Sequence, residues 1–143
     1  MALSDAGAIK LKAHPMACDN RPIDTTGRCG CAACISYSRA ALHLMFKGSS
    51  AAPVACQLVT AHNLAYMLGL TRRMRNAILE GRFAVFVREF LSNHFCLSDG
   101  DRKGTSASSV EKSKISSAEK SKIPAWVVDA LGASGCDWEG ACG

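Results

Sequence analysis

Apolar and polar side chains alternate from Gly7 to Ala13, with Ile9, Leu11 and Ala13 on one side and Lys10 and Lys12 on the other. A period of two predicts a half-buried strand, which His14-Pro15 ends. Residues 15–28 hold Asp19, Asn20, Pro22, Asp24 and Gly27 and read as an irregular loop. Ser36 to Lys47 reads as a helix with Tyr37, Ala40, Ala41, Leu44 and Met45 as its apolar stripe, stopped by Gly48-Ser49-Ser50. A second, longer helix is expected from Thr60, a suitable N-cap. Its apolar positions Leu64, Met67, Leu68, Thr71, Met74 and Ile78 keep the helical period until Gly81. Phe83, Phe86, Val87, Phe90 and Leu91 fall at i, i+3, i+4, i+7 and i+8 of a third helix, a spacing that fits a buried stripe better than a base-stacking platform. Residues 124–131 predict a short docking helix.

The stretch from Asp99 to Ile123 breaks this rhythm. SSVEKSKI at 108–115 is followed directly by SSAEKSKI at 116–123. A tandem repeat of Ser and Lys with few large apolar groups cannot bury enough surface to offset its ordering entropy, so a disordered insertion is expected. The pattern therefore divides the chain into a strand region at 1–14, a helical subdomain at 15–97, the repeat at 98–123 and a docking helix with its tail at 124–143.

Size limits what such a chain can be. Its 143 residues fit one ordinary domain, whereas a complete (β/α)8 barrel needs roughly 200–250. Residues 1–97 carry eleven Lys and Arg against five Asp and Glu, while 98–143 carry six against seven. The positive charge thus belongs to the helical part, where a polyanionic partner such as nucleic acid would meet it. The first residues lack the basic and apolar regions of a secretory signal, and no apolar run nears the ~20 residues of a membrane span. A reducing compartment is the expectation, and there clustered cysteines more often bind metal than pair as disulfides.

Three of the eight cysteines cluster. Cys29, Cys31 and Cys34 form C-x-C-x2-C in a turn just before a helix, so a tight loop supplies three thiolates at small closure cost. A disulfide between Cys29 and Cys31 would be strained. His62, 28 residues after Cys34, is the best fourth ligand, because one intervening helix can return the chain to the cysteines. Three thiolates, a neutral imidazole and Zn2+ sum to one negative charge, which a helix N-terminus favours. Zinc is the favoured reading; free buried thiols and a redox pair are the alternatives. His14, His43 and His94 compete with His62, but His43 points away from a site at its helix's start. Cys18, Cys56, Cys96, Cys136 and Cys142 show no such clustering.

Arg72, Arg73 and Arg75 form a basic cluster that could contact phosphate, although a solvated helix face is the commoner explanation. The chain shows no phosphate loop, no nucleophile elbow and no closely placed pair of carboxylates. Asp5, Asp19 and Asp24 lie in irregular segments without a partner base. No active site is legible.

Taken together, Pro22-Ile23-Asp24, the three cysteines, Ser38-Arg39-Ala40-x-Leu42-His43 and His62-Asn63 resemble the C-terminal part of tRNA-guanine transglycosylase, or queuine tRNA-ribosyltransferase, over roughly residues 7–95. The tail at 124–135 is similar to the end of the eukaryotic catalytic subunit. The resemblance implies a (β/α)8 TIM-barrel enzyme with an α-rich zinc-binding subdomain near its C-terminus, the complete barrel being absent here. It implies one structural zinc on Cys29, Cys31, Cys34 and His62. The activity implied is exchange of the wobble guanine of tRNA for queuine, by way of an aspartate that attacks the ribose. Implied partners are tRNA and a second transglycosylase subunit; the implied location is cytoplasmic, with peripheral mitochondrial association.

The catalytic aspartates and base pocket of that family have no counterpart in these residues, and the Ser/Lys repeat is foreign to it. A fragment of the catalytic subunit, preceded by an unrelated leader at 1–4 and inactive alone, is one expectation. The other is a free-standing zinc module that pairs with a full-length subunit or docks tRNA through Arg72, Arg73 and Arg75. In both, surfaces that normally meet the barrel, the phenylalanine stripe among them, are expected to lie exposed.

Overall fold

The first strand is one that periodicity did not predict. In the computed structural model, which describes residues 1–95 and 123–136, β1 (Ala2–Ser4) pairs antiparallel with β2 (Gly7–Ile9), with Ala2 opposite Ile9, Leu3 opposite Ala8 and Ser4 opposite Gly7. The turn is Asp5-Ala6, and Gly7 follows it at φ 99°, a backbone that favours glycine. Ser4 donates its hydroxyl to the Gly7 carbonyl at 2.7 Å. Residues 1–4 are therefore part of the fold and not an unrelated leader: Ala2 is fully buried. The predicted strand stops at Ile9 because a turn closes at Lys10, whose carbonyl accepts the Ala13 amide at 2.9 Å. The alternation nevertheless persists, with Ile9 and Leu11 buried and Lys10 and Lys12 exposed.

A single helical turn at His14–Cys18 leads through the loop to α1 (Ala32–Ser36) and α2 (Arg39–Lys47). The expected helix from Ser36 to Lys47 is thus two elements. Ser38 breaks it by capping α2, its hydroxyl accepting the Ala41 amide at 3.1 Å. The loop satisfies two more amides of that first turn, Arg39 to the Arg21 carbonyl and Ala40 to the Asp19 carbonyl. The inward face of α2 is Arg39, Leu42 and His43, and the expected stripe residue Leu44 is exposed. Arg39 and Asp19 are both almost wholly buried; the guanidinium meets the Asp19 carboxylate at 3.0 Å and donates to the Ile23 carbonyl at 2.9 Å.

Helix α3 (Ala52–Leu79) starts eight residues before Thr60. Pro53 sits in its first turn, where a missing N–H costs no hydrogen bond. Its inward face carries Ala55, Val59 and His62, while Leu64, Met67, Leu68 and Ile78, which the sequence marks as its apolar stripe, face solvent. Small residues and a histidine, too mixed to read as a hydrophobic face, are what this helix buries.

The chain forms two compact units, Met1–Arg73 and a second beginning at Met74. The first has a core of Ala2, Ile9, Leu11, Ile23, Ala33, Leu42 and Val59. In the second, the turn after α3 passes through Gly81 (φ 68°) and α4 (Phe83–Phe95) follows. Phe83, Phe86 and Phe90 stack successively at 6.3 Å. They pack with Val87 and Leu91 against Ile123 and against Val127, Val128 and Leu131 of α5 (Ala125–Ala133). The stripe is therefore half-buried by the docking helix, contrary to the expectation that it lies open. Most of the Ser/Lys repeat falls outside the described residues.

Candidate metal centre

Asp24 builds the cysteine loop. One carboxylate oxygen accepts the Thr26 amide at 2.9 Å and the Thr26 hydroxyl at 2.7 Å; the other accepts the Cys29 amide at 2.7 Å. Partial burial pushes this carboxyl up, but the hydrogen bonds from Thr26, Cys29 and Arg28 outweigh it and hold the group below the usual range. Gly27 completes the turn at φ 72°. Cys31 caps α1, and Cys34 lies on that helix's first turn, its amide bonded to the Cys31 carbonyl at 3.0 Å.

His62 reaches the same point from α3. It lies about three turns into that helix and is completely buried, rather than on the first turn as the Thr60 start implied. Its Nδ1 stands 3.6 Å from Cys29 Sγ, 3.5 Å from Cys31 Sγ and 3.3 Å from Cys34 Sγ. All four donor atoms lie within 4.8 Å of one another. Zinc bonds of about 2.3 Å to sulfur and 2.0–2.1 Å to nitrogen in a tetrahedron put sulfur and nitrogen about 3.6 Å apart. The spacing therefore fits the ion, and Cys29, Cys31, Cys34 and His62 can bind one metal. With four protein donors, no coordination position is open to a substrate, which is the form of a structural zinc.

The histidine's other nitrogen sets its chemistry. Nε2 donates to the Leu3 carbonyl at 2.9 Å, which leaves the Nδ1 lone pair facing the sulfurs. Asn63 fixes that carbonyl's strand, accepting the Leu3 amide at 2.9 Å and donating to the Met1 carbonyl at 3.1 Å. Without an ion, burial pushes the Cys34 thiol up to about 12, and the sulfurs of Cys31 and Cys29 add to it. Cys29 is raised by burial as well. A divalent cation reverses that preference, since thiolates are the ligands.

A family model described as queuine tRNA-ribosyltransferase matches residues 1–96. The chain belongs to the queuine tRNA-ribosyltransferase family. A queuine tRNA-ribosyltransferase of Herminiimonas arsenicoxydans is 44% identical over 84 residues, 59% of this chain and 21% of that protein. One from Helicobacter pylori (strain ATCC 700392 / 26695) is 40% identical over 89 residues, covering 62% and 23%. Another, from Janthinobacterium sp. (strain Marseille), is 43% identical over 84 residues, covering 59% and 21%. The chain thus spans between a fifth and a quarter of the length of these family members.

The other sequence candidates fare differently. Arg73 grips Asp5 with both ends of its guanidinium, at 2.8 and 2.7 Å, and Arg28 reaches the same carboxylate at 3.2 Å. The Arg73 hydrogen bonds, opposed by burial, hold Asp5 below the usual carboxylate range. Arg72 and Arg75 are exposed. His43 is buried, its Nδ1 2.8 Å from the Leu11 carbonyl, and is not a ligand. Asp5, Asp19 and Asp24 each anchor a loop through these contacts. Cys18 and Cys56 are exposed free thiols, and Cys136 is half-buried. Cys96 and Cys142 lie outside the described residues. Among the described residues no helix is long and apolar enough to cross a membrane.

Proposed function

We propose that this chain is the zinc-binding C-terminal portion of a queuine tRNA-ribosyltransferase of the eukaryotic catalytic-subunit type, the enzyme that exchanges guanine for queuine at the wobble position of tRNA. The observation that carries the reading is the convergence of Cys29, Cys31, Cys34 and His62, donor atoms within 4.8 Å of one another, inside the matched residues 1–96. The zinc holds the hairpin, the cysteine loop and α3 together beside a barrel whose aspartates perform the chemistry outside this chain. tRNA is the substrate and a second transglycosylase subunit the partner. Incorporation of labelled guanine into tRNA is the test: the chain alone is expected to give none. Exchange by the chain alone would overturn the assignment of the catalytic groups to other residues.

A second reading is favoured by one observation: every ligand, and every clamp that holds it, lies within Met1–Arg73. A zinc module complete in itself could act as a free-standing partner of a full-length subunit. Co-purification of the zinc-loaded chain with such a subunit, lost in Cys31→Ala, is expected on that reading; absence of binding by the loaded chain rejects it.

A further inference from the structure

Beside the metal centre, on the same helix, lies an open cleft of about 730 Å3. It is lined by Met1, the Lys10–Ala13 turn, Phe46 at the end of α2, and Cys56, Val59, Thr60 and Asn63 on α3. The volume is within the range of small-ligand sites, roughly 300–1,000 Å3. Two of its side chains are ammonium groups, and no carboxylate lines it among the described residues. Lys10 and Lys12 reach it from the same side of an alternating segment, and the Lys12 ammonium stands 5.5 Å from the centre of the Phe46 ring. Thus an aromatic face, two cations two residues apart and an exposed hydroxyl surround one space.

Charge and shape together restrict the occupant. An apolar peptide would leave the two ammonium groups unmatched, and an acidic one would leave the ring without a partner. An unstacked nucleotide satisfies both, because base stacking on an aromatic ring and phosphate pairing with lysine are how single-stranded RNA is held. We propose that this cleft takes one unstacked nucleotide of an RNA, its base against Phe46 and its flanking phosphates on Lys10 and Lys12. The proposal rests on the tRNA reading above and gives it a location other than the arginine cluster of α3. Lys12, now above the ring, moves aside to a phosphate as the base arrives. Thr60 and Asn63 flank His62, so the metal fixes the wall against which the nucleotide sits.

The experiment uses the zinc-loaded full chain and a fluorescein-labelled anticodon stem-loop RNA, followed by anisotropy. Lys10→Ala and Lys12→Ala are each expected to weaken binding and to flatten its salt dependence by ~0.7 in the log–log slope. Phe46→Leu, which keeps an apolar group in the core while removing the π-face, is expected to weaken binding about tenfold. Cys56 supplies an independent readout. Its alkylation should slow when RNA is bound, while alkylation of Cys18, exposed and outside the cleft, stays unchanged. RNA binding that ignores all three substitutions and leaves Cys56 unprotected overturns the cleft and keeps the tRNA reading. No RNA binding by the loaded chain overturns the cleft proposal, while the tRNA reading stands or falls on the full-length enzyme's exchange of labelled guanine. Protection of Cys56 before RNA is added, with sedimentation as a dimer, assigns the cleft to a second copy and overturns the proposal.

Discussion

A buried histidine that donates one proton to a main-chain carbonyl has its tautomer decided before any metal arrives. His62 is in that position, and its ligands are not symmetric with it: the thiols of Cys29 and Cys34 resist ionisation through burial, the latter up to about 12. Ion binding must therefore displace at least these two protons at neutral pH. Zinc affinity should rise by at least about 100-fold per pH unit near neutrality, with two or more protons released per ion. Competition against a chromophoric chelator at two pH values measures it, and a pH-independent affinity would show that the thiols were already ionised. A charge of another kind is buried at Asp19. Hydrogen bonds from Arg21 and then Arg39, stronger than the opposing burial, hold its carboxyl far below the ordinary value near 3.8. Because the folded value is depressed, its stabilisation is complete above that ordinary value and disappears as pH falls toward the folded one. Asp19→Ala would leave Arg39 charged and buried without its carboxylate, a loss of about 3–5 kcal/mol. Denaturant unfolding of Asp19→Ala and of Asp19→Ala/Arg39→Leu separates the two contributions, since the double variant should recover part of the loss.

At the scale of elements, the loops carry more of the design than the helices do. Asp24 accepts three hydrogen bonds that shape the turn into Cys29, so Asp24→Ala leaves three donors to find water. The expected effect is a loss of about 1–3 kcal/mol, seen as weaker zinc binding with the ligand set intact. A cobalt-loaded sample of the same variant should keep its thiolate charge-transfer bands; their disappearance would mean that the loop, and not the affinity alone, was lost. The elements also show what was legible in the sequence. C-x-C-x2-C with His62 was readable because ligand chemistry restricts residue type and spacing together. The start of α3 was not, because Thr60 mimics an N-cap while the true beginning rests on Pro53 and on small buried residues with little hydrophobic contrast. The break at Ser38 was hidden in the same way: Tyr37 continues the helical period, but the loop carbonyls of Asp19 and Arg21, brought near only by tertiary folding, take the first amides of α2. Asp5, Asp19 and Asp24 were legible as turn formers, and their partners Arg73, Arg39 and Cys29 were not, because two of those pairings span 20 or more positions.

Over the whole molecule, the first compact unit has a buried core of a few small and medium side chains, with Met16, Tyr37 and Phe46 only partly buried against it, so a bound ion is expected to supply much of its stability. A structural zinc contributes on the order of 10 kcal/mol in small metallo-domains. Removing it with a chelator should abolish amide-exchange protection in β1, β2, α1 and α2. Exchange read peptide by peptide checks this, and protection that survives in β1 and α1 would show that the core suffices alone. The phenylalanine stripe of the second unit is packed by α5 through aromatic and aliphatic contacts without a metal, so its response to the chelator reports separately on that unit.

The bond from His62 to the Leu3 carbonyl has one more consequence. In an antiparallel pair, a slip of one residue turns every side chain to the opposite face and every carbonyl to the opposite edge of the strand. A slipped β1 would present a carbonyl pointing away from His62, and the imidazole would lose the partner that holds its proton on Nε2. The coordination sphere thus acts as a gauge of strand register, set by the main chain, so no replacement of the Leu3 side chain alone removes its acceptor. A substitution in the Asp5-Ala6 turn can disturb the metal without touching a ligand, and the absorption spectrum of a bound cobalt ion would report it.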